Sequence, residues 1–184
     1  MLNHNIKFIA MAAVICGICY IISCYIYFNP SSSEPIGYYL VYVPSSYQRN
    51  DKVLICLTKT PWVSLAHQLG LPSEDSCSNQ MPYLLKQVVA VPGDIVFITT
   101  NGIRVNDKYL KDSMSLNSYK GLALHPHKVG TFIHLGGNQF FLLGQNRFSY
   151  DSRYFGVISK KDIHYKAILL WQCAGLKKCL QLFT

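Results

Sequence analysis

LLKQVVAVPGDIVFITTNGIRV, residues 84–105, holds three runs of aliphatic and β-branched residues separated by two turn signals. Leu84–Val91 is apolar on both pleats except at Lys86 and Gln87, the pattern of a strand covered on both faces. Pro92-Gly93-Asp94 interrupts it, since proline lacks an N–H and glycine accepts a left-handed turn. Ile95–Thr99 begins the next strand. Asn101-Gly102 is the dipeptide of a tight hairpin, and Ile103-Arg104-Val105 returns from it. Short runs of the same kind recur outward at Tyr38–Val43, Val53–Leu57, Phe140–Leu143 and Ile163–Leu170, with Gly136-Gly137-Asn138 as another turn. The expected fold is therefore mostly β. One helix is predicted within it, with Thr60 as N-cap, Pro61 at the first helical position, Trp62–Leu69 as its body and Gly70 as its stop. The polar stretch Leu110–Lys128 reads as a mobile insertion between strands.

Ahead of the β-rich part lies Ile6–Phe28, an apolar run in which Lys7 is the only charge. At about 1.5 Å per residue it is long enough to cross a hydrocarbon core of about 30 Å. A cleaved secretory signal has a shorter apolar stretch, of about 7–15 residues. The expected division is thus 1–28, a cytoplasmic tip and transmembrane anchor, and 29–184, an exported domain. Lys7 and the α-amino group precede the span and no Lys or Arg follows until Arg49, which places the N-terminus in the cytoplasm. Tyr20, Tyr25, Tyr27 and Phe28 gather at the exit end like an interfacial aromatic belt.

The chain has 184 residues, 50% apolar and 14% charged, which suits one folded domain and excludes disorder. Its net charge of +8 is scattered, with no nucleic-acid motif, so a basic surface near anionic lipid is expected and a nucleic-acid partner is not. The six histidines have no metal-ligand spacing, so neither metal nor cofactor is expected. Gly-x-Ser-x-Gly, HExxH and Walker motifs are absent. Cys16, Cys19 and Cys24 fall within the apolar run. Cys56, Cys77, Cys173 and Cys179 fall in the exported part, where three pairings are open; nearness favours Cys173 with Cys179 and Cys56 with Cys77.

Three segments carry groups able to do chemistry. In Asn29-Pro30-Ser31-Ser32-Ser33-Glu34-Pro35-Ile36-Gly37-Tyr38-Tyr39, Pro35 and Gly37 make a rigid, sharply turned backbone that can fix a nearby hydroxyl and N–H. Lys86 lies mid-strand among apolar neighbours. Burial there penalises its ammonium form, and a neutral lysine can take a proton from a serine. Gly144 to Gly156 is dense in polar side chains between an apolar strand and an aromatic-Gly turn, as suits a hydrogen-bonded loop beneath a site.

In this order, behind one membrane span, the three segments resemble the boxes of the type I signal peptidase family, and most closely those of its conjugative-transfer, TraF-like branch. That branch has a serine box of the form Asn-x-Thr/Ser-x-Ser-x-Pro-x-Gly-x-Tyr, matched by Asn29, Ser31, Ser33, Pro35, Gly37 and Tyr39. Lys86 with Pro92-Gly93-Asp94 is similar to the lysine box. Val105-Asn106 resembles the hairpin after it, and Asp151-Ser152-Arg153 resembles the last box. The resemblance implies a signal-peptidase-like β domain with a Ser-Lys dyad: Ser33 as nucleophile and Lys86 as general base. It further implies an oxyanion hole from the Ser33 N–H and the Ser31 hydroxyl, Ser149 orienting the amine, and Asp151 and Arg153 bracing the site.

Glu34 departs from the family, which has an apolar residue after the nucleophile. Ile36 and Gln145 replace a common arginine and aspartate. The implied activity is removal of N-terminal signal peptides from exported precursors, with a conjugative pilin precursor as the favoured substrate over a housekeeping role. The implied partners are that precursor and the lipid bilayer, and the implied location is a bacterial inner membrane with the catalytic domain in the periplasm. Some enzymes of the branch join the new end to an amine of the pilin, so cyclisation stays open beside hydrolysis. A catalytically dead scaffold of a secretion machine is the rival class, and the joint presence of Ser31, Ser33, Lys86 and Ser149 argues against it.

Overall fold

The structure, a computed structural model, describes residues 4–71, 76–78 and 80–174. Helix α1 (His4–Ser23) leads through a turn into β1 (Ile26–Asn29) and β2 (Gly37–Tyr42). Next come β3 (Lys52–Ile55), α2 (Thr60–Gln68), β4 (Leu84–Ala90), β5 (Ile95–Thr99), β6 (Gly102–Val105) and β7 (Lys108–Tyr109). The chain continues with β8 (Ser118–Tyr119), β9 (Leu122–Ala123), β10 (Phe132–His134) and β11 (Gln139–Leu143). It closes with α3 (Ser152–Phe155), β12 (Ile158–Ser159) and the long β13 (Ile163–Gln172). The expected mostly β fold is observed.

Seven strands form one sheet in the order β1-β2-β13-β3-β4-β11-β12, and β10-β5-β6-β7 form a second. Period-two alternation divides the large sheet's side chains between its faces. On one face Val53, Ile55, Leu84, Val88 and Leu142 pack with Ala66 of α2 and Phe155 of α3. On the other, Leu54 and Leu85 pack with Tyr39, Val41 and Ala167. The second sheet buries Val96, Ile98 and Ile103 against Ala90 and Phe141. β4 is therefore covered on both faces and flanked by β3 and β11, which makes it an interior strand.

The Pro92-Gly93-Asp94 turn is held by its own aspartate. Asp94 Oδ2 accepts from the Val91 N–H (2.9 Å) and from Arg49 Nε (2.9 Å), and Oδ1 accepts from Asn106 Nδ2 (3.1 Å). Gly93 has φ +90°, the left-handed conformation that glycine accepts without strain.

Four expectations change. The α1 helix ends at Ser23, and Tyr27 and Phe28, expected in a membrane belt, lie on β1 paired with Tyr39 and Tyr38. In α2 the N-cap is Lys59 and not Thr60, with no side-chain cap. Pro61 removes a first-turn N–H that a cap would otherwise serve. The 110–128 segment is packed and not loose. Ser113 is buried and its Oγ accepts from the Ile103 N–H at 2.8 Å, the Leu116 N–H donates to the Tyr154 hydroxyl at 3.0 Å, and β8 pairs with β9. Cys24 lies beyond α1 and outside the span assigned to it. Of the cysteine pairs, Cys56–Cys77 is formed; Cys173 is disulfide-bonded, while Cys179, its expected partner, lies outside the described residues.

Candidate active site

The segment between β1 and β2 is organised by one buried amide. Asn29 Nδ2 donates to the carbonyls of Ser31 (2.9 Å), Glu34 (3.3 Å) and Pro35 (3.1 Å), and its Oδ1 accepts from the Ser31 N–H (3.2 Å). The Tyr39 hydroxyl donates to the Pro35 carbonyl at 2.7 Å. Gly37 is required by close approach, since a Cβ there would stand 2.0 Å from the Trp171 carbonyl oxygen of β13. From the far side the Gln145 N–H donates to the Ser33 carbonyl at 2.8 Å. Ser33 is thus gripped before, behind and across.

Lys86 Nζ lies 3.1 Å from Ser33 Oγ. The lysine is 3% exposed, on an interior strand. Burial pulls its amine down from the ordinary lysine value to about 8; Asp151 and Glu34 oppose this, and Arg153 adds to it. A substantial neutral fraction near that pH can accept a hydroxyl proton. Ser31 Oγ lies 3.1 Å from Ser33 Oγ and accepts the Ser33 N–H at 3.3 Å. A carbonyl oxygen entering between that N–H and the Ser31 hydroxyl would meet two donors.

Beneath lies a closed ionic pair. Asp151 and Arg153 are 0% and 1% exposed, joined at 2.8 and 2.7 Å. The other guanidinium donors reach the carbonyls of Met114 (3.1 Å), Arg147 (3.1 Å), Asn146 (3.3 Å) and Ser149 (3.2 Å), so each buried polar atom of this arginine has a partner. Asp151 Oδ2 also accepts the Gly144 N–H at 3.0 Å. Ser149 does not make the expected bond to the amine: its Oγ is buried without a hydrogen-bond partner, packed against Gly144, where a Cβ would come within 2.3 Å of it.

A groove of about 450 Å³ passes these groups. Ser31, Ser33, Lys86 and Ser149 line it together with Tyr27, Phe28, Leu71, Tyr83, Phe148 and Tyr150. Among the described residues no three His, Cys, Asp or Glu side chains gather as a metal site. A hydroxyl, a buried amine, paired donors and an apolar groove can together perform acyl transfer on an extended apolar peptide.

The sequence matches the family described as signal peptidase, peptidase S26, over residues 3–172. The chain belongs to that family. Two plasmid transfer proteins TraF of Escherichia coli are similar to it, at 25% and 27% identity, each over 146 residues, 78% of this chain and 82% of theirs. They place the chain in the TraF-like branch of the family. A solved signal peptidase I of Enterococcus faecalis overlaps it with a TM-score of 0.37 at 18% identity, covering 66% of this chain and 97% of that one.

In this chain the expected Ser31, Ser33, Lys86, Asp151 and Arg153 converge on one place. Two participants were not foreseen. Asn29 belongs to the quoted box, but its role as the clasp of the loop needs the fold. Lys52, partner of Glu34, has no local signal, because it arrives from β3. Glu34, which could equally have faced solvent, is 2% exposed.

Proposed function

We propose that this chain is a serine endopeptidase that cleaves the N-terminal signal peptide from an exported precursor through a Ser33–Lys86 dyad. The observation that carries the reading is the 3.1 Å contact between Ser33 Oγ and the amine of a lysine 3% exposed. Neutral Lys86 takes the Ser33 proton as Oγ attacks the scissile carbonyl. The Ser33 N–H and Ser31 hydroxyl hold the oxyanion. Protonated Lys86 then gives its proton to the leaving amine, and a water activated by the same amine hydrolyses the acyl-enzyme.

The relatives named plasmid transfer protein support a role in plasmid transfer, and within that role the substrate we infer is a pilin precursor. Helix α1 contains Ile6–Ser23, an apolar stretch able to cross a membrane. With the N-terminus in the cytoplasm, the groove faces the periplasm close to the lipid surface, where the end of a signal peptide emerges.

Ser33→Ala and Lys86→Met are each expected to abolish cleavage of a pilin precursor by the purified chain in detergent, with the fold unchanged by circular dichroism. Lys86→Arg fails as well, because a guanidinium stays protonated. Cleavage near the wild-type rate in any of the three removes the assignment.

A further inference from the structure

Two carboxylates and three cations meet around the nucleophile: Glu34, Asp151, Lys52, Lys86 and Arg153. Their pairing is unequal. Arg153 engages Asp151 through two nitrogens. Lys52 Nζ, on β3, engages Glu34 Oε2, whose carboxylate is fully buried while the lysine side chain is 18% exposed. Glu34 Oε1 is buried one residue from Ser33 without a hydrogen bond of good geometry, and besides the lysines only the Gln145 N–H helps to hold the carboxylate's charge. Lys86 has no carboxylate in contact and touches Ser33 instead. Across the β3–β4 ladder Val53 opposes Lys86 and Lys52 opposes Gln87, so the two lysines project from opposite pleats with the Glu34 segment reaching both.

We propose that Lys52 is a positioning residue: by occupying Glu34 it leaves Lys86 as the one unmatched cation of the cluster, free to act as proton acceptor. This inference rests on the dyad reading above. An unpaired carboxylate at position 34 would attract the Lys86 ammonium and hold the base protonated. Lys52 cancels that attraction and so permits an acidic residue directly after the nucleophile. The charges acting on Lys86 are those of Asp151, Glu34 and Arg153; those acting on Glu34 are Lys52 and Lys86. Tyr39 also faces Glu34, with Tyr27 beside Tyr39 in turn, and Asp51, adjacent to Lys52 in the chain, is already held by Lys166 at 2.6 Å. Burial holds the Glu34 carboxyl above the ordinary carboxylate value, and its contact with Lys52, followed by the nearby Lys86, works against that rise.

The test reads Lys86 directly, by the pH titration of its lysine ¹³Cε resonance in the full chain in detergent micelles, assigned by its loss in Lys86→Met. Lys52→Gln should raise the Lys86 midpoint by about one pH unit, the scale of a nearby opposite charge. Glu34→Gln should lower it, Lys52→Arg should leave it near wild type, and Glu34→Gln/Lys52→Gln should titrate like Glu34→Gln alone. An unmoved midpoint in Lys52→Gln overturns the proposal. So does an equal rise from Lys52→Gln in the Glu34→Gln background, which would mean plain repulsion between the lysines. If Lys52→Gln fails to fold, Lys52→Met and the double variant carry the same comparison. The pH limb of precursor cleavage should move with the resonance. A moving resonance with a fixed limb leaves the ion-pair role standing and sinks Lys86 as the base.

Discussion

Ser31 and Ser32 are adjacent hydroxyls in different surroundings. Both are exposed, but Ser31 Oγ lies 3.1 Å from Ser33 Oγ and accepts the Ser33 N–H. Ser31→Ala should lower kcat by roughly 10²–10³, the usual effect of losing one oxyanion donor, while Ser32→Ala should leave it nearly unchanged. Equal losses in a steady-state assay would mean a general loop effect. Lys86 makes a further prediction, on stability. Its amine titrates at about 8 in the folded protein but near 10.4 in an unfolded chain. Between those values the unfolded chain binds more protons, so the stability that Lys86 withholds at pH 7 returns as pH rises from about 8 toward about 10.4. Lys86→Met should therefore have a higher thermal midpoint than wild type at pH 7, with the gap closing by pH 10. A constant gap would place its cause in packing and not in the buried charge.

The elements meet most tightly where β11 runs into the loop that leads to α3. A Cβ on Gly144 would stand 2.3 Å from Ser149 Oγ and 2.9 Å from the Ser33 carbonyl oxygen. Gly144→Ala should cost about 1–3 kcal/mol of stability as an overpacking change. It should also lower kcat more than it changes KM, because the displaced group is the backbone that carries the nucleophile. Gly137→Ala, with open space around its position, is the control and should do neither. Thermal unfolding and a kcat–KM comparison check both. The strand runs and the Asn101-Gly102 hairpin were legible because apolar alternation and turn chemistry are local. The packing of the 110–128 segment is not legible in the sequence, for the opposite reason. Its polar groups are satisfied by distant partners, such as the Arg153 donor on the Met114 carbonyl, and residue type does not display them.

Over the whole molecule, the chain is one β domain behind an apolar helix whose described side chains are exposed, a surface that lipid would cover. The domain is stapled where β3 gives way to the α2 region, by Cys56–Cys77 across 21 residues. Closing a loop of that size restricts the unfolded chain, so Cys56→Ser/Cys77→Ser should lower unfolding stability by about 3 kcal/mol. Chemical denaturation of the two proteins under oxidising conditions measures this. No difference would show that the purified chain lacks the bond.

The sequence by itself determined what is local: an apolar span, strands marked by period-two runs, and Ser33 and Lys86 in boxes of recognisable spacing. It also indicated that Lys86 would be buried, because its strand is apolar on both pleats. Only the tertiary structure decided which charges would stand around that lysine. Glu34 turned inward because Asn29 and Tyr39 fold its loop back on the sheet, and Lys52 meets it from β3, a strand that the chain order does not place beside that loop. The fold also sets the Ser149 hydroxyl against Gly144, buried and without the expected bond to the amine. Electrostatics acts through space between residues far apart in the chain, so the order of residues names the charged groups, and the fold decides which of them pair.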